Sequence, residues 1–124
     1  MGGRLNPASG AHYAAWIYPE GSYGGDKVLK LVKFWNWTQW GYNGSAGTPM
    51  AEVSLVGPVS NVWHTVKLSL QGSQIQVFYD SQSVTNVTDT DTDPSHPPSL
   101  YSNGGVSLDL YDAIISCTNV IVTP

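Results

Sequence analysis

The chain has 124 residues, of which 11% are charged, and its formal net charge is −4 at pH 7. Its five Lys and Arg residues are too few for the basic surface that binds a phosphate backbone, so we expect no nucleic-acid partner. No apolar run approaches the roughly twenty residues that cross a bilayer, so we expect no membrane insertion. The low charge and the many Gly, Ser, Thr and Asn residues are typical of extracellular β proteins, and the length indicates one domain over residues 1–124.

Short apolar segments separated by turn residues run through the chain, and helical periodicity is absent. Gly, Pro or Asn clusters recur about every eight to twelve residues, which is the spacing of strands in a sandwich or barrel. The predicted strands, in chain order, are 13–18, 28–35, 51–56, 63–70, 74–79, 82–87, 106–111 and 114–122.

The three strands in the middle of the chain are predicted to form an antiparallel meander. Apolar and polar residues alternate along 63–70, and the short turns 71–73 and 80–81 connect it to the next two strands. The final predicted strand, 114–122, is rich in Ile and Val, so we expect it to be central in its sheet.

Several phrases of the sequence resemble bacterial laminin G-like, concanavalin A-like jelly-roll modules. They are GAHYAAWIYPEGS at 10–22, LKLVKF at 29–34, WHTVKL at 63–68, IQVFYD at 75–80, GGVSL at 104–108 and NVIV at 119–122. The resemblance implies an all-β, antiparallel two-sheet sandwich and a role in binding glycans or proteins at cell surfaces. Such modules begin with strands ahead of the region matching Arg4-Leu5-Asn6, so the resemblance also implies that N-terminal strands are missing.

No constellation of residues indicates an enzyme. Glucanases that resemble this fold carry acidic residues at alternating strand positions about 5 Å apart, whereas Glu20 and Glu52 are isolated here. No serine or cysteine lies in a nucleophile motif. We therefore expect no catalytic activity, with a degenerate glycosidase-like domain as a weaker hypothesis.

Aromatic residues cluster within 34–42, more densely than a strand and its following loop can bury. Indole and phenol rings stack on the C–H faces of sugars, and amides bind their hydroxyls. The predicted ligand-binding residues are Trp35, Trp37, Trp40, Tyr42, Asn36 and Asn43. The alternative is that some of these rings belong to the core, but we expect at least one of the three tryptophans to be exposed.

Three carboxylates alternate in Asp89, Asp91 and Asp93. Calcium loops place oxygen ligands at such spacings, but the EF-hand pattern is not continued. We interpret the run as a solvated acidic loop and keep calcium binding as the alternative.

The first functional hypothesis is a non-catalytic carbohydrate-binding module of a secreted or cell-surface protein. The alternative is a structural, adhesive or self-assembling module without a small ligand. If N-terminal strands are missing, an open sheet edge near Arg4, Leu5 and Asn6 is predicted to cause self-association. Sequons at Asn36, Asn43 and Asn86 leave glycosylation open.

Overall fold

The computed structural model describes residues 1–93, 95, 100–111 and 113–123, and the only regular secondary structure in them is the β-strand. The ten strands are β1 Gly2–Leu5, β2 His12–Tyr18, β3 Val28–Phe34, β4 Gly41–Tyr42, β5 Ser45–Ala46, β6 Ala51–Ser54, β7 Val66–Gln71, β8 Gln74–Tyr79, β9 Gln82–Thr88 and β10 Gly105–Ser107. No helix long and apolar enough to cross a membrane occurs in these residues.

Two antiparallel sheets make up the body of the domain. One has five strands in the order β10-β1-β2-β3-β6, and the other has three in the order β7-β8-β9. Buried side chains from both sheets meet in one core, in which Leu29, Leu31, Ile75 and Val77 are fully buried. The predicted antiparallel two-sheet sandwich is therefore confirmed.

Alternation along β2 explains how the five-stranded sheet buries residues on both faces. Tyr13, Ala15 and Ile17 join the core between the sheets. Ala14 and Trp16 instead pack in a second cluster, because successive strand residues point to opposite faces. We call the side turned toward the three-stranded sheet the inner face and the opposite side the outer face.

The predicted meander is confirmed as β7-β8-β9. A two-residue turn at Gly72-Ser73 connects β7 to β8, since Gln71 pairs with Gln74. The next turn places Asp80 and Ser81 at φ of 48° and 68°, the combination of a type I′ hairpin turn. Asp80 also accepts a hydrogen bond from the Thr65 backbone amide, which holds the start of β7 beside the end of β8.

The prediction of an open sheet edge near Arg4, Leu5 and Asn6 was wrong. Strand β1 pairs with β2 on one side and with β10 on the other, so it lies inside the sheet. The Arg4 guanidinium donates hydrogen bonds to the carbonyl oxygens of Gly72 and Tyr101, at 2.6 and 2.8 Å. The edges of this sheet are instead β10 and β6, and self-association itself stays a prediction.

The prediction of a central strand over 114–122 was also wrong, and the strand predicted over 106–111 is shorter than expected. Strand β10 is only Gly105–Ser107, and residues 113–123 have no regular secondary structure. Ile114 is 97% and Ile121 75% exposed, and Cys117 is exposed as well. High β-propensity describes residues that fit a pleated, half-buried surface, and it does not supply a pairing partner.

A small hairpin was not predicted, although its signal was present. Strands β4 and β5 pair through Tyr42 and Ser45. The two residues between them, Asn43 and Gly44, have φ of 49° and 75°, as a type I′ turn requires, and Asn-Gly is its favoured sequence. The hairpin follows β3 and carries part of the aromatic cluster.

Candidate functional site

The outer face of the five-stranded sheet carries a row of aromatic side chains. Even-numbered residues of β2 and β3 point to this face, and the registers place His12 opposite Phe34 and Trp16 opposite Lys30. Trp40 reaches the same face because it bridges to Phe34 at the end of β3. We call Tyr18, Trp16, Trp40 and Phe34 the aromatic row.

Trp16 is the centre of the aromatic row. Its ring centroid lies 5.2 Å from that of Phe34, 6.1 Å from that of Tyr18 and 6.4 Å from that of Trp40. These separations and the tilted planes are those of favourable edge-to-face contacts. Phe34 is buried, whereas the other three rings are half-buried. The row therefore presents three partly open aromatic surfaces side by side.

A small apolar layer supports the aromatic row from below. Ala14 and Val32 pair across β2 and β3, and both are 0% exposed. They pack in one cluster with Phe34, Trp16 and Trp40. Because the rings rest on fully buried residues of paired strands, the packing restricts their orientation.

Polar groups flank the row at both ends. Near Tyr18, the Lys30 Nζ lies 5.1 Å from the ring centroid and 3.2 Å from Glu52 Oε2. At the other end, His12 Nε2 lies 3.5 Å from Asp109 Oδ2. An ammonium group and carboxylates beside stacking rings are the kind of polar groups that orient a hydroxyl-rich ligand.

The three tryptophans predicted to bind a ligand lie in different surroundings. Trp40 belongs to the aromatic row. Trp37 is 54% exposed, which confirms that at least one tryptophan of the cluster is exposed, and it packs closely over Gly10. Trp35 is half-buried, with its ring against Gly41.

The predicted polar residues mainly shape the loop after β3. Asn36 Oδ1 accepts hydrogen bonds from the backbone amides of Thr38 and Gln39, an Asx-type turn. The Tyr42 hydroxyl accepts a 2.9 Å hydrogen bond from the Thr90 amide. Asn43 is exposed at the hairpin turn. Asn36 and Tyr42 thus already have partners within the domain.

The carboxylates considered for calcium are differently placed from one another. Asp89 and Asp91 are buried, and one oxygen of each lies 2.8 and 3.1 Å from the Lys33 Nζ. Asp93 Oδ1 accepts hydrogen bonds from the amide and hydroxyl of Ser95. Within the described part of the chain, no group of three or more His, Cys, Asp and Glu residues is arranged to hold a metal ion.

Two tyrosines enclose the Lys33 ammonium. The Tyr13 hydroxyl donates to Asp89 Oδ2 and accepts a 3.2 Å hydrogen bond from the Tyr101 amide. The Nζ atom lies 5.9 Å from the Tyr13 ring centroid and 5.2 Å from that of Tyr101. Burial, as the largest cause, raises the pKa of both tyrosine hydroxyls. Both groups are therefore proton donors at neutral pH.

The two glutamates that were weighed as catalytic acids have other partners. The Glu20 carboxylate accepts hydrogen bonds from the Ser60 hydroxyl and the amides of Val59 and Ser60. These bonds, led by that of the Ser60 hydroxyl, lower the pKa of Glu20 to about 2. Glu52 pairs with Lys30 at the margin of the aromatic row.

Trp16, Tyr18 and Lys33 were not among the residues predicted from the sequence. The signal for all three was strand alternation. In a strand over 13–18, Trp16 and Tyr18 share one face, and in a strand over 28–35, Lys33 shares the face of Leu29 and Leu31. Assigning faces to the predicted strands would have placed two aromatic residues together and one lysine in the core.

No family model, no curated protein and no solved structure matches the chain.

Proposed function

We propose that this domain is a non-catalytic carbohydrate-binding module whose ligand stacks on the aromatic row. One observation carries the proposal: Trp16, Tyr18 and Trp40 lie side by side on one sheet face, and each ring stays partly open to solvent. A sugar has an apolar C–H face that matches such a ring and a rim of hydroxyls that needs polar partners. Lys30 and Glu52 lie at the edge of the row to meet them.

The extended form of the row favours a chain of sugars over a single one. Ring centroids about 6 Å apart, with neighbouring planes inclined at 72° and 59°, offer several separate contacts along the sheet. The sequence resemblance to laminin G-like modules supports the same function and an extracellular or cell-surface location. Stacking and hydrogen bonding require no metal, so we propose that binding is independent of calcium.

A glycan array followed by calorimetric titration tests the proposal. We expect a polysaccharide ligand, and we expect Tyr18→Ala and Trp16→Ala each to weaken its binding about tenfold, because a lost stacking contact costs about 1.4 kcal/mol. Trp37→Ala tests whether the exposed ring in the loop after β3, which lies outside the row, also contributes to binding. EDTA should leave the affinity unchanged.

The matched control is Trp63→Ala. Trp63 is 68% exposed and lies outside the aromatic row, so its removal should affect neither binding nor melting temperature. If no glycan binds, or if Trp63→Ala weakens binding as much as Tyr18→Ala does, the aromatic row is not the binding site.

A second candidate function is self-assembly, favoured by the exposed segment 113–123. This segment has no charged residue, and Ile114, Ile121 and Val122 are each at least 65% exposed. In the described part of the chain, β7 has a strand on one side only. We propose that the segment of one copy adds to the free edge of β7 in a second copy, since backbone pairing and apolar burial both favour strand addition.

Light scattering coupled to gel filtration tests self-assembly. We expect the mass to rise with concentration and Ile121→Lys to shift it back to the monomer, because a charge opposes burial of the segment. Trp37→Ala, which changes an exposed side chain in the loop after β3, should leave the mass unchanged. A monomer at every concentration would contradict this candidate.

A further inference from the structure

The cluster of Lys33, Asp89 and Asp91 is unlike the surface ion pair next to it on β3. Its three side chains are 0%, 1% and 1% exposed, whereas those of Lys30 and Glu52 are 17% and 49% exposed. Among the described residues, two buried carboxylates lie beside this one ammonium. Burying charges is costly even when they are paired, so this arrangement calls for a function of its own.

We propose that Lys33 and Asp89 condense into an intramolecular amide bond that joins the two sheets. The Lys33 Nζ lies 2.8 Å from Oδ2 of the Asp89 carboxyl, so the amine is held beside the carboxyl carbon with which it would react. Lys33 lies on β3 of the five-stranded sheet, and Asp89 directly follows β9 of the three-stranded sheet. The bond would therefore cross the core.

The reaction balances without any co-reactant. The Lys33 Nζ gives up protons and attacks Cγ of Asp89, so that a C–N bond forms and the bond from Cγ to Oδ2 breaks. Two of the three ammonium protons leave with Oδ2 as one water molecule, and the third stays on the amide nitrogen. The ammonium and carboxylate charges cancel in this step, which leaves a neutral amide in the core.

Neighbouring groups are placed to assist each part of the step. Asp91 Oδ2 lies 3.1 Å from Nζ, so Asp91 can relay protons from the amine to the departing oxygen. The Asp91 backbone amide donates a 2.9 Å hydrogen bond to Asp89 Oδ1 and so stabilises the charge that develops on that atom. The Tyr13 hydroxyl donates to Oδ2, the oxygen that leaves.

The bond would be a covalent cross-link within a chain that cannot form an internal disulfide. Cys117 is the only cysteine, so an internal disulfide cannot form. The rings of Tyr13 and Tyr101 border the ammonium and help to separate the reacting groups from water. An amide between the sheets would oppose their separation when the domain is pulled or heated.

Intact-mass spectrometry of the denatured protein tests the proposal. We expect the full chain to be lighter than its 13.4 kDa sequence mass by the mass of one water molecule. A protease digest should contain one branched peptide that includes both Lys33 and Asp89. The proposal would be overturned if the wild-type protein had its full sequence mass and its digest contained Lys33 and Asp89 in two separate peptides. This holds whatever the variants do.

Matched variants assign the missing water to this pair. Lys33→Met and Asp89→Ala should each abolish the mass deficit, and Asp91→Asn should slow its appearance, since the proton relay is lost. Lys30→Met, which removes the surface lysine of the same strand, should keep it. A deficit that persists in Lys33→Met would place the dehydration elsewhere in the chain and contradict the proposal.

Discussion

Replacing Lys33 with methionine is expected to lower the free energy of unfolding by about 3 to 5 kcal/mol relative to protein in which Lys33 and Asp89 are not joined, because it leaves two buried carboxylates without their cation. Methionine is close to lysine in length and fills the same space, so the loss of packing is small. The side chains of Asp89 and Asp91 are each 1% exposed, and water cannot solvate them in the folded state. Urea denaturation followed by tryptophan fluorescence measures the change.

Two controls show whether charge is the cause. Lys30→Met removes a surface ion pair and should cost no more than about 1 kcal/mol. Adding Asp89→Asn and Asp91→Asn to Lys33→Met removes the stranded charges and should recover part of the loss. A cost for Lys33→Met no larger than that for Lys30→Met would mean that the buried cluster does not stabilise the domain.

The burial of Lys33 could not be predicted from composition alone. Lysine is rarely fully buried unless it is paired, and the partners of Lys33 lie more than fifty residues away in the chain. The alternating carboxylates of 89–93 were recognised, but as a solvated loop or a calcium loop. Their actual partner depends on which strand ends lie together, and that is a non-local property of the fold.

The strands with a clear local signal could be predicted, and those that depend on a partner could not. Residues 13–18, 28–35 and 74–79 were predicted as strands and correspond to β2, β3 and β8. They are rich in β-branched and aromatic residues and lie between turn residues, a signal that the local sequence shows directly. By contrast, β1 contains two glycines and forms a strand because β2 and β10 lie on either side of it.

Two members of the aromatic row, Phe34 and Trp40, belong to the cluster noted in the sequence, and the other two do not. Aromatic density drew attention to 34–42, and Trp40 of that cluster does lie in the aromatic row. Trp16 and Tyr18 were assigned to a strand without regard to its faces, so their proximity to Trp40 was not considered. The cluster and the row meet because the chain turns back after β3, and Phe34 bridges to Trp40.

Leu31 and Val32 allow the two faces of the five-stranded sheet to be tested separately. These neighbours on β3 are both 0% exposed, but Leu31 belongs to the core between the sheets and Val32 to the cluster below the aromatic row. We expect Leu31→Ala to lower the free energy of unfolding by about 2 to 5 kcal/mol, since it leaves a cavity in the main core. Val32→Ala removes two carbon atoms and should cost about 1.5 kcal/mol.

The effects on ligand binding should be in the opposite order. Val32→Ala removes support from Trp16 and Trp40, so we expect weaker glycan binding at a temperature where the variant is fully folded. Leu31→Ala leaves the outer face intact, and its folded fraction should bind with the affinity of the parent. Denaturation curves and calorimetric titrations of the same two samples give both quantities. If Val32→Ala binds glycan as tightly as the parent does, the rings do not depend on the layer below them, and the case for a preorganised aromatic row fails.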